Sequence, residues 1–272
     1  VTYRTLSTIV PPPGPETVDA AVALAERWGA HLDVICAGEI HADPAWGPEG
    51  ISMLSVTLAE ADTEACEKVE AAIRKRLERE SIAWTCRSVT GPLGEAARQA
   101  ARAARYSDLA ILPRPLPDQL LAEAAFETVL LEAKVPVLLP AEGATPSFER
   151  IMIAWDESDE SMTAVRTALP LLQTADAVQV VVVDPKRHSP DTADAGHPVA
   201  VYLSRHDVHC EIAQVPRVLP RISETLVQSA REFEADLVVM GAYGHSRVRE
   251  ALIGGVTREM IKRTDLPLFV AH

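Results

Sequence analysis

Short apolar runs alternate with stretches of helical period along the whole chain, and two halves pass through them in the same order. The runs TLSTIV (5–10) and RIMIAW (150–155) read as first strands, each leading to a helix that begins near Glu16 or Ser158. HLDVICA (31–37) and AVQVVVV (177–183) read as second strands, the latter a continuous apolar run suited to a parallel sheet covered on both faces. The crossovers that follow differ: residues 55–79 predict one long helix with a charged face of i,i+4 pairs, whereas 184–198 predict a loop before a short helix over Val199–Arg205. Third strands follow at 82–89 and 208–214, then helices at 94–105 and 220–233. SDLAIL (107–112) and ADLVVM (235–240) align as fourth strands. KVPVLLP (134–140) and DLPLFVA (265–271) close the halves, with Pro136 and Pro267 at a strand's first residue, where no ladder donor is needed.

Strands that alternate with helices predict right-handed βαβ units, hence two tandem doubly wound α/β domains, each with a five-stranded parallel sheet of Rossmann-like type. The expected domains are 1–142 and 149–272, joined through the small-residue and proline segment AEGATPSFE (141–149). On such sheets ligands sit beyond the carboxyl ends of the strands, at the switch in strand order.

Composition removes several alternatives. The chain has 272 residues, 47% of them hydrophobic and 24% charged, which predicts folded domains rather than disorder. A net charge of −13 argues against nucleic acid or an anionic membrane as partner, although backbone dipoles can still hold a small anion. Cys36, Cys66, Cys86 and Cys210 stand singly, as buried thiols of a reducing compartment do. With no apolar run near the length of a membrane span and no basic leader, the expected location is the cytoplasm.

Candidate chemistry concentrates in MGAYGHSRVREALIGGVTREMI (240–261). Gly241 and Gly244 follow the fourth strand of the second half, Gly254 and Gly255 open the last helix, and Thr257 adds a hydroxyl in its first turn. Glycines that admit close backbone approach, beside a helix N-terminus with free N–H donors, make a phosphate cradle. The absence of G-x-x-x-x-G-K-[S/T] and of G-x-S-x-G removes the main support for P-loop and esterase readings. His206 and His209 form an H-x2-H pair without evident further metal ligands and read as solvated.

The second half resembles a universal stress protein domain of the ATP-binding type, whose pattern G-x2-G-x9-G-[S/T] is matched by Gly241, Gly244 and Gly254. The resemblance runs over 149–272 and includes IMIAWDESDES (151–161) with its aspartate. It implies that Asp156 and its backbone neighbours Ala154 and Trp155 meet the adenine or ribose end, and that Val182 meets the base. It further implies that Met240 and Gly241 floor the site, and that Gly244, Gly254, Gly255 and Val256 surround ribose and phosphates. Gly255 departs from the pattern, since Ser or Thr stands there in the family; a hydroxyl bond worth about 1 kcal/mol is lost. Trp155 is a second departure, with stacking near the base and core packing as its two readings.

In the first half Pro11-Pro12-Pro13-Gly14 stands where Asp156 does, and Pro113 and Leu116 lie opposite Gly241 and Gly244 in a loop without glycine. Proline supplies neither carboxylate nor backbone donor, so this half reads as a degenerate copy. The resemblance therefore implies a tandem universal stress protein that senses or buffers ATP or AMP, with or without Mg, and turns it over slowly or not at all. A slow ATP hydrolase and a scaffold for another small ligand are the alternatives. Copies in the family pair through their last strands; here 135–139 and 267–271 are expected to pair within one chain as a pseudo-dimer, a homodimer being a further assembly.

Overall fold

The computed structural model describes residues 3–12, 18–41, 53–115, 119–141, 147–185, 195–244 and 255–272. The chain divides into two compact units, Tyr3–Val135 and Pro136–His272. In the first unit β1 (Thr5–Val10), α1 (Val18–Trp28), β2 (His31–Glu39), α2 (Met53–Leu77), β3 (Trp84–Gly91), α3 (Leu93–Ala104), β4 (Leu109–Ile111) and α4 (Leu120–Thr128) follow one another. Its strands lie parallel in the order β3-β2-β1-β4. The helix α3 buries Ala96, Ala97, Ala100, Ala101 and Ala104, a stripe of small side chains at helical spacing.

The second unit holds β5 (Val137–Leu139), β6 (Arg150–Trp155), α5 (Asp159–Leu172), β7 (Ala177–Val183), α6 (His197–Ser204), β8 (Cys210–Val215), α7 (Ile222–Glu232), β9 (Leu237–Gly241), α8 (Gly255–Arg263) and β10 (Leu268–Ala271). Its parallel order is β8-β7-β6-β9-β10, and β5 adds antiparallel to β10 with Val137 opposite Val270. The expected pairing of the two closing strands is thus present. It groups β5 with the second unit rather than with the half that encodes it. Both proline-led strands begin one residue after the proline, at Val137 and Leu268.

The core of each unit is the central pair of strands and what packs on it: Leu6, Leu32, Ile35 and Leu109 in one, Ile151, Val180, Leu237 and Phe269 in the other, none more than 1% exposed. The π-helical turn Val129–Ala133 that prolongs α4, closed by Lys134 in the left-handed region, leaves no mark in the apolar pattern.

A detail repeated in both halves explains why SDLAIL and ADLVVM align. Asp108 Oδ2 accepts the backbone N–H groups of Arg4 (2.7 Å) and Thr5 (2.9 Å), where β1 starts. Asp236 does the same at the start of β6, accepting from Glu149 N (2.7 Å) and Arg150 N (3.1 Å), and from the Ser147 hydroxyl. An aspartate ahead of the fourth strand therefore staples the neighbouring first strand in each copy. Asp236→Ala should lower stability by about 1–2 kcal/mol, because backbone donors lose a charged acceptor. A drop in the urea midpoint at unchanged m-value checks this, and an unchanged midpoint refutes it.

Candidate functional site

The order β7-β6-β9 reverses direction of travel between β6 and β9, and the carboxyl ends of these strands frame a cavity of about 310 Å³. The strands contribute Ala154, Trp155, Val181, Val183, Met240 and Gly241; α7 contributes Ile222 and Leu226. Asp156 and Ser158 lie on the turn into α5, Tyr243 and Gly244 follow β9, and Gly255, Val256 and Thr257 form the first turn of α8. Apolar walls with a few convergent polar groups are the composition of a small-molecule site. First-turn N–H groups of a helix have no intrahelical acceptor and can serve a ligand.

Nine of the residues singled out from the sequence come together here: Ala154, Trp155, Asp156, Met240, Gly241, Gly244, Gly255, Val256 and Thr257. Gly254 lies outside the described residues. The side chain of Val182 is not among those that line the cavity. Side chains of a strand alternate between faces, and it is Val181 and Val183 that line the cavity. Val182 packs toward Gly196 instead, with its Cγ2 3.2 Å from where a Cβ on that glycine would lie. Sequence reasoning misses Ser158, Ile222, Leu226 and Tyr243: Ile222 and Leu226 are helix-period apolar residues without a chemical signature, Ser158 reads first as a helix start, and Tyr243 is a single loop tyrosine between two glycines of the pattern.

The glycines do different things. A Cβ on Gly241 would stand 2.5 Å from Ser161 N and 2.7 Å from the Glu160 carbonyl carbon, both backbone atoms. The space Gly241 leaves is thus taken by the first turn of α5, not by a ligand. At Gly244 the nearest atom would be Glu160 Oε2 at 2.9 Å, with Ser158 Cβ and Oγ at 3.3 Å. Gly255 differs: a Cβ there meets nothing within 4 Å among the described residues. Three non-glycine residues just beyond strand ends have left-handed backbones, Glu157 (φ 64°), Asp184 (φ 53°) and Tyr243 (φ 68°). Such conformations cost about 1 kcal/mol or more each and persist only where the surroundings fix them.

Tyr243 is held edge-on to the ring of His272 at 6.1 Å, and His272 Nδ1 lies 2.9 Å from the Ala242 carbonyl oxygen, to which it donates. Asp156 Oδ1 accepts from Ser158 N (3.1 Å) and from Ser158 Oγ (2.6 Å), and the same Oγ accepts from Ser161 N (3.1 Å) as the N-cap of α5.

Among the described residues the equivalent place in the first unit is nearly filled. Ile9, Pro11, Leu112 and Pro113 at the ends of β1 and β4 meet Leu121, Ala122 and Ala125 of α4 around a space of about 10 Å³, room for one water molecule at most. Leu116, Pro13 and Gly14 lie outside the described residues. The first unit also holds three buried thiols. Cys36 and Cys86 face each other on neighbouring strands with sulfurs 3.9 Å apart, and Cys66 Sγ donates to the Cys36 carbonyl at 3.4 Å. The hydrogen bond with Cys86 and then burial push the Cys36 thiol up, and burial with Glu70 and Glu67 nearby pushes Cys66 up to about 11, so both stay protonated at neutral pH. Among the described residues no group of three or more His, Cys, Asp or Glu is placed to hold a metal ion, His206 and His209 included, and no helix is long and apolar enough to cross a membrane.

Fold and cavity together define a tandem doubly wound α/β protein with a ligand-sized cavity at the switch point of its second unit. The family model described as "Universal stress protein family" matches residues 147–272. A curated relative, universal stress protein Slr1230 of Synechocystis, is 33% identical over 55 residues; that stretch spans 20% of this chain and only 19% of the relative. Among solved structures, a universal stress protein from Archaeoglobus fulgidus superposes with a TM-score of 0.67 at 14% identity, covering 97% of each chain. A protein of Pseudomonas aeruginosa UCBPP-PA14 assigned to the same family gives 0.58 at 16% identity, over 99% of this chain and 93% of the other. Residues 147–272 thus match the universal stress protein family, and the chain as a whole has the fold of solved proteins that carry that name.

The contrast among the glycines is open to measurement. Gly241→Ala should cost about 1–3 kcal/mol of stability, because the backbone it would meet cannot turn aside. Gly255→Ala should leave stability within about 0.5 kcal/mol or raise it. Equal losses for the two in chemical unfolding would show that α5 does not set the need for glycine after β9.

Proposed function

We propose that the second unit binds one adenine nucleotide, ATP or AMP, at the cavity beyond β6 and β9, and that the protein acts in the cytoplasm as a stress-response sensor or buffer rather than as a fast enzyme. The observation that carries this reading is the difference between the two equivalent places: about 310 Å³ in the second unit, with a carboxylate and a helix N-terminus at its edge, against about 10 Å³ between proline, leucine and alanine side chains in the first. A volume of this size sits at the lower end of small-molecule sites and suits a nucleoside with part of its phosphate chain outside. Val181, Val183, Ile222, Leu226 and Met240 supply apolar surface for a ring system, and Asp156 an acceptor for a sugar hydroxyl or a ring amine. The first turn of α8 offers N–H donors to phosphate, together with Gly254 as the family pattern assigns it. Mg, where a triphosphate is taken, would ride on the phosphates.

Slow turnover follows from the same residues. Asp156 is the one carboxylate among the described lining residues, and Ser158 directs two donors at its Oδ1, which suits a fixed acceptor better than a base that must gain and lose a proton.

Titration calorimetry with ATP and with AMP should give a stoichiometry near one per chain. Asp156→Ala should weaken binding by about 1.5–3 kcal/mol in a protein that still folds. Gly255→Ser, at the start of α8 where no described residue stands within 4 Å of an added Cβ, should strengthen ATP binding by up to about 1 kcal/mol. A stoichiometry near two would show that the filled first unit opens to a ligand. Unchanged affinity in Asp156→Ala would remove that carboxylate from the site, and absence of binding would leave the cavity to another small molecule.

A further inference from the structure

We infer that Ser158 is a positioning residue of the nucleotide site, setting the Asp156 carboxylate before any ligand arrives; this rests on the nucleotide reading of the cavity. Asp156 is the first residue beyond β6, where a side chain on a strand end is ordinarily free to choose among rotamers. Here the left-handed turn at Glu157 brings the chain back on itself, so that both the N–H and the hydroxyl of Ser158 donate to the same carboxylate oxygen, at 3.1 and 2.6 Å. The Ser158 hydroxyl has no freedom of its own. Its proton goes to Asp156 while its lone pair accepts from Ser161 N at 3.1 Å, which fixes it to the first turn of α5. Met162 N, bonded to the Ser158 carbonyl at 3.1 Å, fixes the backbone of the same residue.

This turn of α5 is in turn the surface that a side chain on Gly241 or Gly244 would strike, and at Gly244 an added Cβ would stand 3.3 Å from Ser158 Cβ and Oγ. One hydroxyl therefore ties together two things that line or support the cavity: the carboxylate after β6 and the start of α5. A carboxylate that already accepts two donors is held as an acceptor, so the ligand group it meets must donate. Holding the side chain in its bound rotamer removes an ordering cost that an unrestrained aspartate would meet on binding.

The test uses the full chain titrated with ATP in five forms: wild type, Ser158→Ala, Ser158→Thr, Asp156→Ala, and the double variant Asp156→Ala with Ser158→Ala. Ser158→Ala should bind about 3- to 10-fold more weakly. Ser158→Thr, which keeps the hydroxyl, should stay within about twofold of wild type. The double variant should bind no more weakly than Asp156→Ala alone, since Ser158 acts through the carboxylate. A capping role confined to helix stability would lower the melting temperature in both backgrounds but would not make the affinity losses merge. Should Ser158→Ala fail to fold, Ser158→Gly, which caps a helix without a hydroxyl, takes its place. Wild-type affinity in Ser158→Ala, or losses that multiply in the double variant, overturns the inference while leaving the nucleotide reading intact. A wild type that binds neither ATP nor AMP overturns both.

Discussion

The second unit depends on how closely the end of β9 can approach the first turn of α5. Gly241 and Ser161 come together backbone to backbone, with no room for a methyl group between them. That contact sets the depth to which α5 sinks beside β6 and β9, and with it the position of the helix start. From the helix start follow the cap at Ser158, the turn through Glu157, and the place of Asp156 at the cavity edge. A glycine that reads as part of a ligand cradle thus serves the ligand at one remove, by letting the protein close on itself in the right place.

The two halves show what happens to such a place when its parts are exchanged. The strand order around β1 and β4 repeats that around β6 and β9, and the aspartate staples at Asp108 and Asp236 repeat as well. What has changed lies at the carboxyl ends of the strands, where prolines and the apolar face of α4 take up the volume that the second unit leaves open. Architecture and cavity are separable: the first is fixed by strand pairing and buried apolar area, the second by a few residues beyond the strand ends.

The sequence carried the fold well because its signal is repeated and periodic. Runs such as 5–10, 150–155 and 177–183 coincide with β1, β6 and β7, since a strand buried on both faces announces itself by a short, largely apolar run rich in β-branched residues. The third strands begin about two residues later than the apolar pattern suggests, at Trp84 and Cys210, where turn and strand composition blend. In the cavity, residues with a chemical signature, Asp156 and the glycines, were legible. The facing of β7 at its carboxyl end was not, because four successive valines, 180–183, carry no alternation to say whether Val182 or its neighbours turn inward. Nor was the division of labour among glycines, which depends on what lies across the gap in space: α5 at Gly241, no described residue at Gly255. The role of Ser158 was hidden for a related reason, since its capping function accounts for the residue in sequence and gives no cause to look for a second bond.

The strand β5 belongs to the first half by sequence and to the second unit by its pairing with β10. A protease that cut within 142–146 would therefore not release two self-sufficient copies. The piece beginning at the linker would carry β10 with one edge stripped of its hydrogen-bond partner, along a strand whose residues Leu268, Phe269 and Val270 are fully buried in the intact chain. Such an edge recruits whatever strand it meets, including its own kind. Duplication has thus left the repeat with a shared seam, and recombination that shuffled one copy without the last strand of the other would shuffle an adhesive fragment rather than a domain.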